Sequence, residues 1–458
     1  MRRRTTRFSA LAVSALLVGL STAGCGGGSS GPCGEAGAEP TASVAGHQPV
    51  TLCMWSGFNK PEFDYLNSAI AMFEKKYPWI HVNTVPGKED TDVLNAIHGG
   101  NAPDAVMLTI PDDGVQFCGS DAYINLKPYL QADHVDLNSL VPQAALGYTA
   151  YAEKSSQCML PMLTDAYGLY YNTDMFRKAG ISNPPKTYSE FFADVKKLTQ
   201  LNSDGTIKVA GFLPLATGDY ELANVVNGVQ EGADWYDSSG HNLLGTDPRF
   251  AEMLAFYKSM ADWFGYKKLN GWFHGNGGEN TEFSASNLFE NQKLAMVADG
   301  EWRVNFIENI DHSKVPYATA PYPVPDNAAG RYGVAQTGGS TLGVTRNSEH
   351  PKESWMLVKY LALDTGAETF LARKLLNVPT VKAALKDPVL NNNENFAVFM
   401  KAFADPNSRY KQITKLGFGD VDLYDPFVDK YLAGKVPDLK AGLQGVATQI
   451  DNQLKLGT

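Results

Sequence analysis

The stretch TDAYGLYYNTDMFRKAGISNPPKTYSEF, residues 164–191, sets the reading of the whole chain. YGLYYN is apolar over the length of a strand and leads through a short polar turn into a helix. Pro184 and Pro185 close that segment and force an extended approach to the next. Thr187 and Glu190 then stand in the T-x-x-E relation of a capping box: the threonine oxygen accepts an N–H of the first turn, and the glutamate reaches back. Phe191, Phe192, Val195 and Leu198 supply the apolar stripe of the helix that follows. One acidic residue, Asp165, stands immediately in front of the strand.

The same grammar extends outward. PVTLCMWSG (49–57) reads as a buried strand. Phe63, Leu66, Ile70 and Phe73 recur at helical spacing, and that helix ends near Tyr77-Pro78. IHVNTV alternates like a half-exposed strand, a helix runs to Gly99-Gly100, and PDAVMLTI (103–110) is a continuous apolar run. Strand, helix, strand, helix, strand predicts parallel βα units and an α/β fold. Toward the C-terminus, 247–300 is mostly helical around a glycine- and asparagine-rich loop, NGWFHGNGGEN. KLAMVADGEW (293–302) and GGSTLGVT (338–345) read as strands. The helix after the second carries Trp355, Leu357, Val358 and Leu361, and a last helix places Leu443, Val446, Ile450 and Leu454 on one face.

At 458 residues the chain exceeds what one hydrophobic core supports, so two lobes are expected. A net charge of −10 argues against nucleic acid or an anionic membrane surface as partner. The eight histidines form no pair at ligand spacing, and neither a metal nor a cofactor is expected. MRRRTTR followed by the 13-residue apolar run FSALAVSALLVGL is too short to span a bilayer and reads as an export signal (1–25). GGGSSG opens a flexible tether (26–45). Four cysteines follow Cys25, and an even number in an exported chain favours disulfides. Of three connectivities the expectation is Cys33–Cys53 with Cys118–Cys158; buried free thiols are the alternative.

Nucleophile elbow, zinc-protease, P-loop and dinucleotide motifs are all missing, so no catalytic residues are assigned. Polar residues instead gather just past strand ends, where ligands sit in open α/β sheets. Ser56 and Phe58 follow the first strand, and Asp112 and Asp113 follow the third. All four are candidates for a cleft; a helix cap or a turn is the competing role.

FEKKYPWIHV, GNAPDAVML, LPMLTDAYGLYYNTDMFRKAGISNPPKTYSEF, NQKLAMVADGEW, NIDHSKVPYATAPYP and GGSTLGVTRNSEHPKESWMLVKYL occur in this order. Together they resemble the sugar-binding proteins of ABC importers, in the group typified by maltose-binding protein, from residue 48 to the end. Ala23-Gly24-Cys25 similarly resembles a bacterial lipobox, although Thr22 stands where the pattern prefers Leu, Val or Ile, which leaves ordinary secretion open. The resemblance implies an α/β, two-lobed periplasmic-binding-protein fold (type II-like) with a multi-strand hinge. Its lobes would be 46–163 plus 338–382 and 164–337 plus 383–458. It also implies a monomer held outside the cytoplasmic membrane by a lipid on Cys25, which binds a carbohydrate and meets a permease. Asp165 takes the place of a carboxylate that accepts from sugar hydroxyls. Asp112, or Asp113 with a one-residue shift, matches a second acid. Trp302 falls where a tryptophan stacks on the sugar, with Glu301 beside it. Gly338 and Gly339 would let backbone approach the ligand. Tyr220, with Asp219, lies in a ligand loop; Trp55 packs near the hinge; and the 410–427 region supplies another aromatic, with Phe418 and Tyr424 as candidates. Glycerophosphodiester binding, a secreted carbohydrate-cleaving enzyme and ligand presentation to a sensor kinase are the rival functions.

Overall fold

The computed structural model describes residues 31–34, 46–151, 156–215 and 220–456. The signal segment, Cys25 and Asp219 lie outside them, as does the side chain of Asp113. Eight strands build two sheets. β1 (Val50–Ser56), β2 (Ile80–Val85), β3 (Ala105–Leu108), β4 (Met159–Met162) and a late strand, Ser340–Val344, form the first, in the order β2-β1-β3-(340–344)-β4. The second holds β5 (Tyr167–Asn172), β6 (Met296–Gly300) and β7 (Tyr317–Pro321), with β5 in the centre. The late strand is β8.

β1 pairs in parallel with β2 and β3, as the βα pattern requires. β8 is antiparallel to both β3 and β4. The YGLYYN strand departs from the parallel expectation: β5 is antiparallel to β6 and to β7. An interior strand is apolar on both faces in either orientation, so composition does not carry direction.

The helices follow the apolar stripes. Glu62–Lys76 buries Phe63, Leu66, Ala69, Ile70 and Phe73. Asp90–His98 stops at Gly99, with Gly100 at φ 71°. Tyr188–Leu198 starts on the expected box, where Thr187 accepts the Glu190 N–H at 3.4 Å and the Glu190 carboxylate accepts the Thr187 N–H at 3.3 Å. The glycine-rich stretch expected as a loop is instead largely helical: Tyr266–Gly275 runs through NGWFHG, because Leu269 and Phe273 bury one face. Leu439–Leu456 closes the chain, with Leu443, Val446 and Ile450 buried.

Both disulfides form as expected, Cys33–Cys53 and Cys118–Cys158, with Cα separations of 5.7 and 5.8 Å. These lie within the range that a bridge spans without backbone movement. No helix among the described residues is long and apolar enough to cross a membrane.

Candidate functional site

Three stretches of chain run side by side where the two sheets meet. Residues 163–166 join β4 to β5, residues 336–339 lead into β8, and residues 376–380 follow the helix Thr365–Leu375. Asp165 and Gly338 exchange backbone hydrogen bonds of 3.3 and 3.2 Å, and Thr164 donates its N–H to Val378 O at 2.7 Å. The Thr164 hydroxyl donates to Gly338 O at 2.7 Å. Gly339 has φ 124°, and a Cβ there would lie 2.5 Å from the Leu163 carbonyl oxygen. That crossing admits glycine alone.

Two buried carboxylates bolt the crossing together. Glu301 accepts the Ala166 N–H at 2.8 Å and the Asn377 amide at 2.7 Å. Glu368 accepts the N–H groups of Leu163 at 3.2 Å and Thr380 at 2.7 Å. Burial raises the Glu368 carboxyl to about 8 and pushes Glu301, which also feels Asp165, well above the carboxylate range. Glu301 is fully buried with both oxygens used, so it positions the hinge and does not face a ligand.

Asp165 differs. It is half-buried, and no described residue donates a hydrogen bond to its carboxylate. Burial, followed by the charges of Glu221 and Glu62, raises it to about 8. Glu62 lies in the first turn of the helix Glu62–Lys76, where burial raises it to about 7 despite the helix N-terminus. Glu221 stands just before the short helix Leu222–Val225; burial and Asp299 raise it to about 7. The carboxyls thus converge from three separate segments.

Aromatic rings complete the surroundings. Tyr167 meets Trp302 edge-on, with centroids 5.6 Å apart, and Trp302 remains half-buried. The Tyr410 ring approaches Gly338, 3.6 Å from where a Cβ would stand, and Asp165 Oδ2 is 3.8 Å from the same point. Tyr148 packs edge-on to Tyr410 at 6.1 Å. Half-exposed rings beside an acceptor that no described residue engages suit a ligand with apolar faces and O–H groups.

Other candidates are placed elsewhere. Asp112 is fully buried, its Oδ1 accepting from the Lys411 ammonium at 2.8 Å and its Oδ2 from the Tyr410 hydroxyl. Lys411 also reaches Asp420 at 3.2 Å. Burial lowers the Lys411 ammonium, but the two aspartates outweigh it and hold it above its ordinary value. Asp112 is therefore a tie across the molecule, with no oxygen free of a protein partner. Ser56 accepts the Phe58 N–H at 3.1 Å in a turn, and Phe58 is buried in the main core. Tyr220 is turned inward, its hydroxyl 2.8 Å from Thr281 Oγ1 and accepting the Leu288 N–H at 2.8 Å. Tyr424 is likewise buried and donates to Val226 O at 3.0 Å. Phe418 is half-buried. Trp55 packs in a small second core beside both disulfides and donates its indole N–H to Pro32 O at 3.0 Å.

Glu62, Glu221, Tyr148, Tyr167 and Tyr410 escaped the sequence reading. Tyr410 belongs to the region expected to give an aromatic, and Tyr167 is two residues beyond Asp165, on the same side of the extended chain. Glu62 carries no local signal, being one of two acids in an ordinary first helical turn.

The family model of bacterial extracellular solute-binding proteins matches residues 59–368. A putative binding protein of Brucella abortus is 26% identical over 247 residues, 54% of this chain and 56% of that relative, so the match spans little more than half of its length. The multiple sugar-binding protein of Streptococcus mutans is 22% identical over 371 residues, 79% of this chain and 78% of its own. The mannotriose-bound structure of CpMnBP1 superposes with a TM-score of 0.74 at 24% identity, covering 87% of this chain and 99% of that one. Its likeness extends the two-lobed α/β architecture over nearly the whole of the described chain. On the match over residues 59–368, this chain belongs to the bacterial extracellular solute-binding protein family.

Proposed function

We propose that the chain captures a sugar, a di- or oligosaccharide, between its lobes and delivers it to an ABC permease. The lobes would divide as 46–163 plus 338–382 and 164–337 plus 383–458. The observation that carries this reading is Asp165: an acceptor without a hydrogen-bond partner among the described residues, at the point where both sheets meet, flanked by half-exposed Trp302 and by Tyr410. A carboxylate offers about four acceptor sites, which suits a ligand dense in hydroxyls. The sugar named for the Streptococcus mutans relative and the mannotriose held by CpMnBP1 support the same class. Closure follows from a ligand that contacts both lobes and so favours the closed form. Export on the N-terminal signal, with Cys25 lipidated, would hold the protein beside its permease. No bond-making step is assigned.

A phosphate-bearing ligand fits less well. Lys411, the ammonium adjoining Tyr410, is already spent on Asp112 and Asp420. A thermal-shift screen with mono-, di- and oligosaccharides and glycerophosphocholine tests the proposal, because a bound ligand raises the midpoint by mass action. A sugar is expected to raise it, and Asp165→Ala and Trp302→Ala are each expected to abolish that rise. A shift from glycerophosphocholine alone would refute the sugar reading.

A further inference from the structure

Three carboxylates from distant segments crowd together on the Glu221 side of Asp165. Glu221 precedes the helix Leu222–Val225, Glu282 follows the 3-10 turn Gly278–Thr281, and Asp299 lies on β6. One oxygen from each lies within 4.8 Å of the other two. Asp299 is fully buried, Glu282 is 4% exposed and Glu221 is half-buried. The neighbouring cation is Arg303, which is committed to Asp299 at 2.7 Å and to Glu290 at 3.4 Å. One guanidinium thus serves two carboxylates directly. Glu221 has the Asn224 amide as a donor. Glu282 Oε1 is sealed from solvent and accepts no hydrogen bond from any described residue. A buried acceptor of that kind costs free energy unless something positive meets it.

We propose that Glu221, Glu282 and Asp299 form an oxygen-only site for a hard divalent cation, with calcium the best fit, in the wall beside Asp165. Carboxylates without nitrogen or sulfur donors select hard cations. Calcium holds its oxygens at about 2.3–2.6 Å, so two ligands on opposite sides stand at most about 5 Å apart, and the observed spread needs no rearrangement. Magnesium, at about 2.0–2.1 Å, demands near-ideal octahedral geometry, which three carboxylates fixed on separate segments supply less readily than the irregular shell calcium accepts. The cluster adjoins the sugar site through Glu221, which also acts on Asp165, but its test reads cation binding with no sugar present, so failure of one reading is distinguishable from failure of the other.

The test uses the full exported chain, stripped with chelator and desalted. Metal content and thermal unfolding are measured with calcium, magnesium and manganese chlorides. Calcium is expected to bind at one equivalent and raise the midpoint by several degrees; Glu282→Gln is expected to lose both effects. Manganese or magnesium acting in place of calcium would still support the site. If Glu282→Gln does not fold, terbium luminescence on the unaltered protein, sensitised by Tyr220 and displaced by calcium, gives the same reading. No bound cation and no shift with any of the three, or calcium binding undiminished in a folded Glu282→Gln, overturns the proposal.

Discussion

Asp165 and Glu301 are acids at one crossing, and their partners separate their roles. Glu301 takes two donors, from Ala166 and Asn377. Asp165 takes none among the described residues. Glu301→Ala should therefore cost about 2–4 kcal/mol in a urea titration, because two buried donors lose their acceptor. Asp165→Ala should leave the unliganded midpoint unchanged or higher, since it removes a carboxyl crowded by Glu62 and Glu221. Comparing the two variants by the same titration checks the distinction. The place of Asp165, just ahead of a strand, was legible in the sequence because the YGLYYN run marks that strand. Glu62 and Glu221 were not, because only the folded chain brings positions 62, 165 and 221 together. Asp112 misled for a related reason: an acid past a strand end looks the same in sequence whether it meets a ligand or, as here, Lys411.

Strand and helix positions were largely readable, and pairing direction was not. A continuous apolar run marks β3, β5 and β8, and capping chemistry marks the helix Tyr188–Leu198. Nothing local tells β5 that its partners will arrive at 296–300 and 317–321 in antiparallel register. Two substitutions test the elements. Thr187→Ala should remove about 1 kcal/mol, the ordinary worth of an N-cap, and leave sugar binding intact. Gly339→Ala should be far worse, about 2 kcal/mol or more, since φ 124° and the Leu163 oxygen 2.5 Å away both oppose a side chain. Denaturant midpoints of both purified variants check the order; equal losses would show that the crossing tolerates a shift.

The molecule as a whole carries an unusual set of raised acids. Asp165 and Glu368 stand at about 8, and Glu62, Glu221 and Glu231 at about 7. The unfolded chain ionises these groups near pH 4, so between there and pH 8 the folded form holds more protons, and folding weakens as pH rises. Against this, Asp133, Asp247 and Asp387 are lowered, by Lys359, by Arg249 against burial, and by Arg373 respectively; they lose their contribution only in acid. The unliganded midpoint should therefore be highest on the mildly acidic side and fall toward pH 8.5, with Asp165→Asn flattening the slope. Scanning calorimetry across that interval, in chelator, checks the direction. The sheet order has a separate consequence for biogenesis. β8 is wedged between β3 and β4, so the first sheet has a slot in its middle until residues 340–344 emerge. A polypeptide made from its N-terminus cannot seal that sheet early. That sheet lacks an interior strand through three-quarters of the chain's synthesis, and any fragment ending before residue 340 should present two raw strand edges to its neighbours.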